Sequence, residues 1–198
     1  MTNFTGGVNQ KAIEELHCSA ELTGGLHNQL ISLSVLNIFL SITAFLGNTL
    51  ILVALHKESS LHPPSKLLLR SLAKTDLCVG IIVQPLGITY WMSSVSERWD
   101  ICRFAVVASI ITSYMLCLVS LLILTATSVD RLLALLLGLR YKQVVTLRRT
   151  YVAVFAFWLV STLASTLRLW DYRISSWYSY LVISLCLVTS FTLTQKFS

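Results

Sequence analysis

Residues 101–137 read ICRFAVVASIITSYMLCLVSLLILTATSVDRLLALLL. Charge enters this run only near its ends, as Arg103 on one side and Asp130-Arg131 on the other. Crossing the hydrocarbon core of a bilayer takes about 20 predominantly apolar residues in a helix. The run is longer than that, so it predicts a transmembrane helix that tilts or projects beyond the bilayer. Its apolar residues are continuous rather than alternating, which argues against a strand of a membrane β-barrel.

Working outward, the same pattern repeats on both sides. Upstream lies a polar loop, Ser93 to Asp100, then an apolar run over 67–92 that Pro85 is expected to kink. Before it, His56 to Ser65 carries Lys57, Glu58 and the pair Pro63-Pro64, and reads as a tight loop because proline is excluded from a helix interior. A further apolar run covers 30–55. Downstream, a basic segment with Arg140, Lys142, Arg148 and Arg149 leads into runs over 151–167 and 177–192. The polar loop Arg168 to Ser176 separates these two runs. The prediction is an all-α membrane protein with five transmembrane helices inside 29–194, a polar tail at 1–28 and a cytoplasmic end at 195–198.

Composition agrees. The 198 residues are 55% hydrophobic and 12% charged, with a mean hydropathy of +0.74. A soluble domain carries about twice that share of charge, roughly 25%, and a disordered chain needs low hydrophobicity. The net charge of +6 sits in short clusters between apolar runs rather than in one basic stretch, which excludes a nucleic-acid partner and points to membrane lipid. With the tail outside, the outer segments hold five basic residues against six acidic ones. The inner side then holds ten basic against three acidic. Positive residues favour the cytoplasm, so the N-terminus is expected outside. The tail has no signal-peptide pattern. Its Asn3-Phe4-Thr5 is a glycosylation sequon if that end is luminal.

Ionisable and polar residues inside apolar runs need a reason, because burying them in lipid is costly. Asp76 in the second run, Asn48 in the first and Ser120 in the third lie at similar depth. Together they offer oxygen ligands for a small hard cation, or else an interhelical hydrogen-bond cluster that only holds the bundle together. Asp130-Arg131 reads either as a latch that exchanges charge partners between two states or as a pair that positions the helix end. Trp158 lies mid-run and is expected to pack between helices, whereas Trp91, Trp99, Trp170 and Trp177 stand at segment ends as an aromatic belt. Cysteines at 18, 78, 102, 117 and 186 form no CxxC pair and no metal-ligand spacing, and no base–nucleophile pair for an enzyme can be placed. Neither broken helices nor internal repeats of the transporter kind are visible.

These features occur in a telling order. Gly47-Asn48, Leu72-Ala73-x-x-Asp76-Leu77, Ser128-Val129-Asp130-Arg131 and Trp158 fall in successive runs, with 28 residues from Asn48 to Asp76 and 27 from Arg131 to Trp158. The chain resembles the rhodopsin-like (class A) G-protein-coupled receptors, over the first five of their seven helices. The resemblance implies plasma-membrane signalling from an extracellular ligand to a heterotrimeric G protein. It implies that Asn48, Asp76 and Ser120 form an allosteric sodium pocket, with no other cofactor. It makes Asp130 and Arg131 the latch and G-protein contact, with Leu132 in place of the usual tyrosine.

The chain departs from the family in several places. Cys102 resembles the cysteine that usually joins the third helix to the second extracellular loop. It lies 29 residues before Arg131, further than usual, and that loop has no cysteine here. Cys18 is the remaining extracellular candidate, and a Cys18–Cys102 disulfide or two free thiols both stay open. Lys74 replaces a small or apolar residue, and the fifth run has no proline. These features resemble the melanocortin and cannabinoid branch and some cnidarian orphan receptors. Amine receptors carry a carboxylate where this chain has Ser113, so no ionic amine anchor is expected at that ligand-pocket position; lipid, peptide and nucleoside ligands stay open. Helices six and seven are missing, and the chain is expected to be a truncated form that does not signal alone. The truncated chain is expected at the plasma membrane or retained in the endoplasmic reticulum, and the other expectation for function is a non-signalling membrane protein that forms hetero-oligomers with full-length receptors and modulates them.

Overall fold

The computed structural model describes residues 17–18, 25–137, 141–170, 180 and 184. Four helices are long and apolar enough to cross a membrane among these residues, and no strand occurs among them. Helix α1 is His27–Lys57. Helix α2 runs Pro63–Val95 and contains a π-helical turn at Val79–Val83. Helix α3 is Trp99–Leu137 and α4 is Leu147–Trp170, with a short helix Tyr141–Val144 between them. The chain is an all-α membrane protein. The expected fifth span at 177–192, apart from Tyr180 and Ser184, and the sequon at Asn3 lie outside the described residues.

Each helix is longer at one or both ends than its apolar run, because hydropathy marks the lipid-covered part of a helix and not its turns in the interface. The largest difference falls at Pro63-Pro64. These residues were expected in a loop, but they open α2. Proline suits the first turn of a helix, where its missing N–H has no partner to lose and its fixed φ is already helical.

Polarity in the bundle is arranged for lipid. Leu36, Phe39, Leu46 and Leu50 of α1 are exposed, while Ser34 and Asn37 of the same helix are buried. Thr75, Ser93, Ser94, Thr127, Ser161 and Ser165 are buried as well. With lipid tails as apolar as leucine, helices associate through small and hydroxyl-bearing residues that allow close approach and hydrogen bonds. Helix α3 is central. Leu116, Val119, Ile123, Thr127 and Asp130 are buried at steps of three and four residues along one stripe. Helix α2 packs against α1, α3 and α4.

The π-turn of α2 has an identifiable cause. The Gln84 N–H bonds the Val79 carbonyl five residues back. The next donor in that register would be residue 85, a proline without an N–H, so the Gly80 carbonyl loses its partner. Ser41 of α1 supplies the replacement, its Oγ donating to Gly80 O at 2.7 Å. One turn further, Asn37 Nδ2 donates to Gln84 O at 3.3 Å. Glycine at position 80 lets the helices approach this closely, since a Cβ there would stand 3.2 Å from Ala44 Cβ and 3.3 Å from Ser41 O and would push the seam apart by a few tenths of an ångström.

At the opposite end of α2 from Pro63, the chain leaves the helix through Glu97 at φ 54°. Arg98 N bonds Ser93 O at 2.9 Å and Glu97 N bonds Ser94 O at 3.3 Å, a Schellman closure. The turn delivers the chain directly into α3 at Trp99. Cys102, one turn in, is joined to Cys18 by a disulfide with a Cα–Cα distance of 6.1 Å. Cys18, Cys102 and Val106 form a small core beneath Tyr90, Trp99 and Ile110.

Candidate functional site

The residues singled out in the sequence fall on α2 and α3 at two depths. At the end where α2 begins and α3 finishes, Asp130 is 5% exposed and both of its oxygens are taken. Ser65 Oγ donates to Oδ2 at 2.5 Å and Tyr141 OH to Oδ1 at 2.6 Å. The two hydroxyls are themselves 3.3 Å apart. The His62 ring lies 5.0 Å from the Tyr141 ring, tilted against it. Proline at the start of α2 places Ser65 in its first turn, and the short helix after α3 brings Tyr141 back across the helix end. Burial raises the Tyr141 phenol above the ordinary tyrosine range, and its hydrogen bond to Asp130 raises it further.

Arg131 is the next residue, about 100° further round the helix, and its side chain is exposed. The acid is therefore held by neutral hydroxyl donors from the first turn of α2 and from the short helix after α3, while its basic neighbour faces the surface. Sequence reasoning missed Ser65, Tyr141 and His62. The available signal was physical: a buried carboxylate requires donors, and hydroxyls beside loops on the same side of the membrane are the candidates.

At mid-depth, Ser120 Oγ donates to Asp76 Oδ1 at 3.2 Å, joining α3 to α2. Asp76 is half-buried. Asn48 is not brought into this pair; its Nδ2 donates to Ala44 O of its own helix at 2.8 Å. Two hard oxygen donors thus stand together where three were expected. No group of three or more His, Cys, Asp or Glu that could hold a metal occurs among the described residues.

Trp158 is half-buried on α4, and its carbonyl accepts from Thr162 Oγ1 at 2.7 Å. Thr162 Oγ1 also lies 3.7 Å from Met115 Sδ, next to the Ser113 turn of α3. Ser113 is half-buried, and its Oγ donates to Ile110 O at 3.2 Å. At the far end, Tyr90 OH lies 3.4 Å from His17 Nδ1, beside the disulfide that fixes Cys18 over α3.

Residues 47–194 match the 7 transmembrane receptor (rhodopsin family). Adenosine receptor A3 of Ovis aries is 31% identical over 141 residues, which cover 70% of this chain and 43% of that protein. Those of Canis lupus familiaris and Bos taurus are each 30% identical over 141 residues with the same coverage. The chain therefore spans less than half the length of these curated relatives. A family match over about three quarters of the sequence, with relatives about 30% identical, makes this chain a member of the rhodopsin family of seven-transmembrane receptors, a receptor family and not an enzyme family.

Proposed function

We propose that the receptor to which this chain belongs transmits an extracellular ligand signal to a heterotrimeric G protein at the Asp130-Arg131 end of α3. The observation that carries this reading is the separation of the two side chains: Asp130 buried and held by Ser65 and Tyr141, Arg131 exposed beside it. A latch needs an element with two arrangements of comparable free energy. Here the acid is fixed by neutral donors, which leaves the guanidinium available to exchange partners and to meet a G protein.

The orientation follows with the N-terminus outside and the plasma membrane as destination. The excess of basic residues on the inner side supports it. A disulfide at Cys18–Cys102 supports it too, since disulfides persist in oxidising compartments. Asp76 and Ser120 would supply two of the oxygen donors for a sodium ion, which would tie α2 to α3 and hold the resting packing. The relatives are named adenosine receptors, so a nucleoside is the first ligand class to test; Ser113 offers a hydroxyl and no ionic anchor for a monoamine.

The experiment is nucleotide exchange on a purified G protein in nanodiscs. It uses this chain completed with the sixth and seventh helices of the sheep adenosine receptor A3. Nucleoside-dependent exchange, abolished by Arg131→Ala, is the expected result. The 198-residue chain alone should give no exchange, because the crevice beside Arg131 is walled in part by the sixth helix in this family. Exchange that is unaffected by Arg131→Ala would overturn the reading. A chain that instead lowers the surface level of a co-expressed receptor, with no exchange in either form, would support the hetero-oligomeric interaction protein.

A further inference from the structure

Lys66, Arg70 and Lys74 follow one another at intervals of four on α2, so they form one stripe along one face. At 1.5 Å per residue, Lys74 lies about 12 Å further along the helix than Lys66. Lys74 is exposed on a transmembrane helix. A lysine at that depth carries its ammonium towards the interface along its own stem. Directed that way, its stem leads back towards Arg70, one turn nearer the interface.

Lys66 and Arg70 line a groove of about 320 Å³ between α2 and the start of α4, with Leu147 and Tyr151 forming the facing wall. Lys66 donates to the Glu58 carbonyl, which fixes its position and uses one of its three donors. The Glu58 carboxylate accepts from Ser60 N and Oγ and also lies close enough to Lys66 to offset part of its charge, which leaves Arg70 and Lys74 as the uncompensated cations of the stripe. Neither Arg70 nor Lys74 has an anionic partner among the described residues. Arg148, beside Leu147, is exposed.

The other wall of the groove continues as an apolar stripe. Leu147, Tyr151, Phe155 and Leu159 follow at intervals of four on α4, and all four are exposed. Helices α2 and α4 start at the same end of the bundle and both rise from the groove. A cationic stripe and an apolar stripe therefore run side by side, beginning at one pocket.

We infer that this groove binds a polyanionic membrane lipid of the phosphoinositide class, with its phosphorylated headgroup on Lys66, Arg70 and Lys74 and an acyl chain along Leu147 to Leu159. Two features choose this occupant. Several cations within one short stripe exceed what a single-charge headgroup neutralises, and the apolar stripe begins at the same pocket, so the occupant carries charge and hydrocarbon together. Basic clusters at the cytoplasmic interface are a recognised route to such lipids. The inference takes from the proposed function only the orientation of the bundle, and it does not require signalling.

The test uses the full 198-residue chain in phosphatidylcholine nanodiscs, where both leaflets are accessible, with a fluorescent phosphatidylinositol 4,5-bisphosphate read by energy transfer from Trp158 and its neighbours. Wild type should retain this lipid over phosphatidylserine at equal total charge. Arg70→Gln with Lys74→Gln should weaken retention about 30-fold, the effect of removing two interfacial charges. The charge-preserving pair Arg70→Lys with Lys74→Arg should restore it, which separates lost charge from lost folding. Arg98→Gln with Arg103→Gln, at the other end of the bundle, should leave it unchanged. Equal retention of phosphatidylserine, or full retention by the doubly neutral variant, would overturn the site. Equally strong binding of soluble inositol trisphosphate would overturn the assignment of the apolar stripe to an acyl chain.

Discussion

At Asp130 a single carboxylate depends on two hydroxyls that belong to different helices. Removing one leaves a buried charge with half its donors. Hydrogen bonds to charged groups contribute about 1.5–3 kcal/mol, and Tyr141→Phe is expected to lower stability by about that amount, read as a drop in the midpoint of denaturant unfolding. The same residue gives a pH dependence. An unfolded tyrosine ionises near pH 10, whereas burial and the Asp130 bond keep the folded Tyr141 protonated to higher pH. Above that point the unfolded state holds fewer protons than the folded one, so stability falls as pH rises. Thermal melts of wild type should therefore fall more steeply above about pH 10 than those of Tyr141→Phe; parallel curves would rule the linkage out. Glu97 is a second residue under local demand. It holds a left-handed conformation at φ 54°, where a Cβ is disfavoured by about 1–2 kcal/mol. Glycine there gives back part of the gain through a freer unfolded chain. Glu97→Gly is expected to raise stability by up to about 1 kcal/mol, read as a higher melting temperature than wild type.

The α1–α2 seam belongs to the scale of elements. Pro85 removes a donor, the π-turn moves the break to Gly80, and Ser41 of the neighbouring helix satisfies the freed carbonyl. Interhelical hydrogen bonds in membranes contribute on average about 0.6 kcal/mol and at most about 1.7. Ser41→Ala should cost within that range. The cost should shrink in a Pro85→Ala background, where residue 85 regains its N–H and Gly80 its own partner. A double-mutant cycle measures this coupling, and simple additivity would show that the serine does not serve the proline. A kink near Pro85 could be expected from the sequence. The position of the π-turn and its dependence on Ser41 could not, because the donor comes from another helix.

Across the whole molecule, the Cys18–Cys102 bridge closes 84 residues of chain and fixes part of the tail to the top of α3. Loss of a native disulfide typically costs about 2–5 kcal/mol, so Cys18→Ser should unfold at clearly lower denaturant than wild type. Peptide mapping without reduction should recover the two cysteines linked, and recovery of both as alkylated thiols would remove the tether. The same orientation predicts a glycan at Asn3. Asn3→Gln should abolish one gel shift in microsomes, and protease attack on the tail from the cytoplasmic side of sealed vesicles would reverse the topology.

The sequence alone determined the class of protein, the number and rough extent of the described spans and the order of Asn48, Asp76, Asp130-Arg131 and Trp158. It could do so because a transmembrane helix satisfies its own backbone and faces an apolar solvent, so its signal is local and additive along the chain. Tertiary structure decided what those polar residues touch. Ser120 reaches Asp76 but Asn48 bonds its own helix, and Asp130 takes its donors from Ser65 and Tyr141, 65 and 11 residues away. Hydrogen-bond partners across helices depend on rotation and depth to within an ångström or two, and a one-dimensional pattern of hydropathy carries neither.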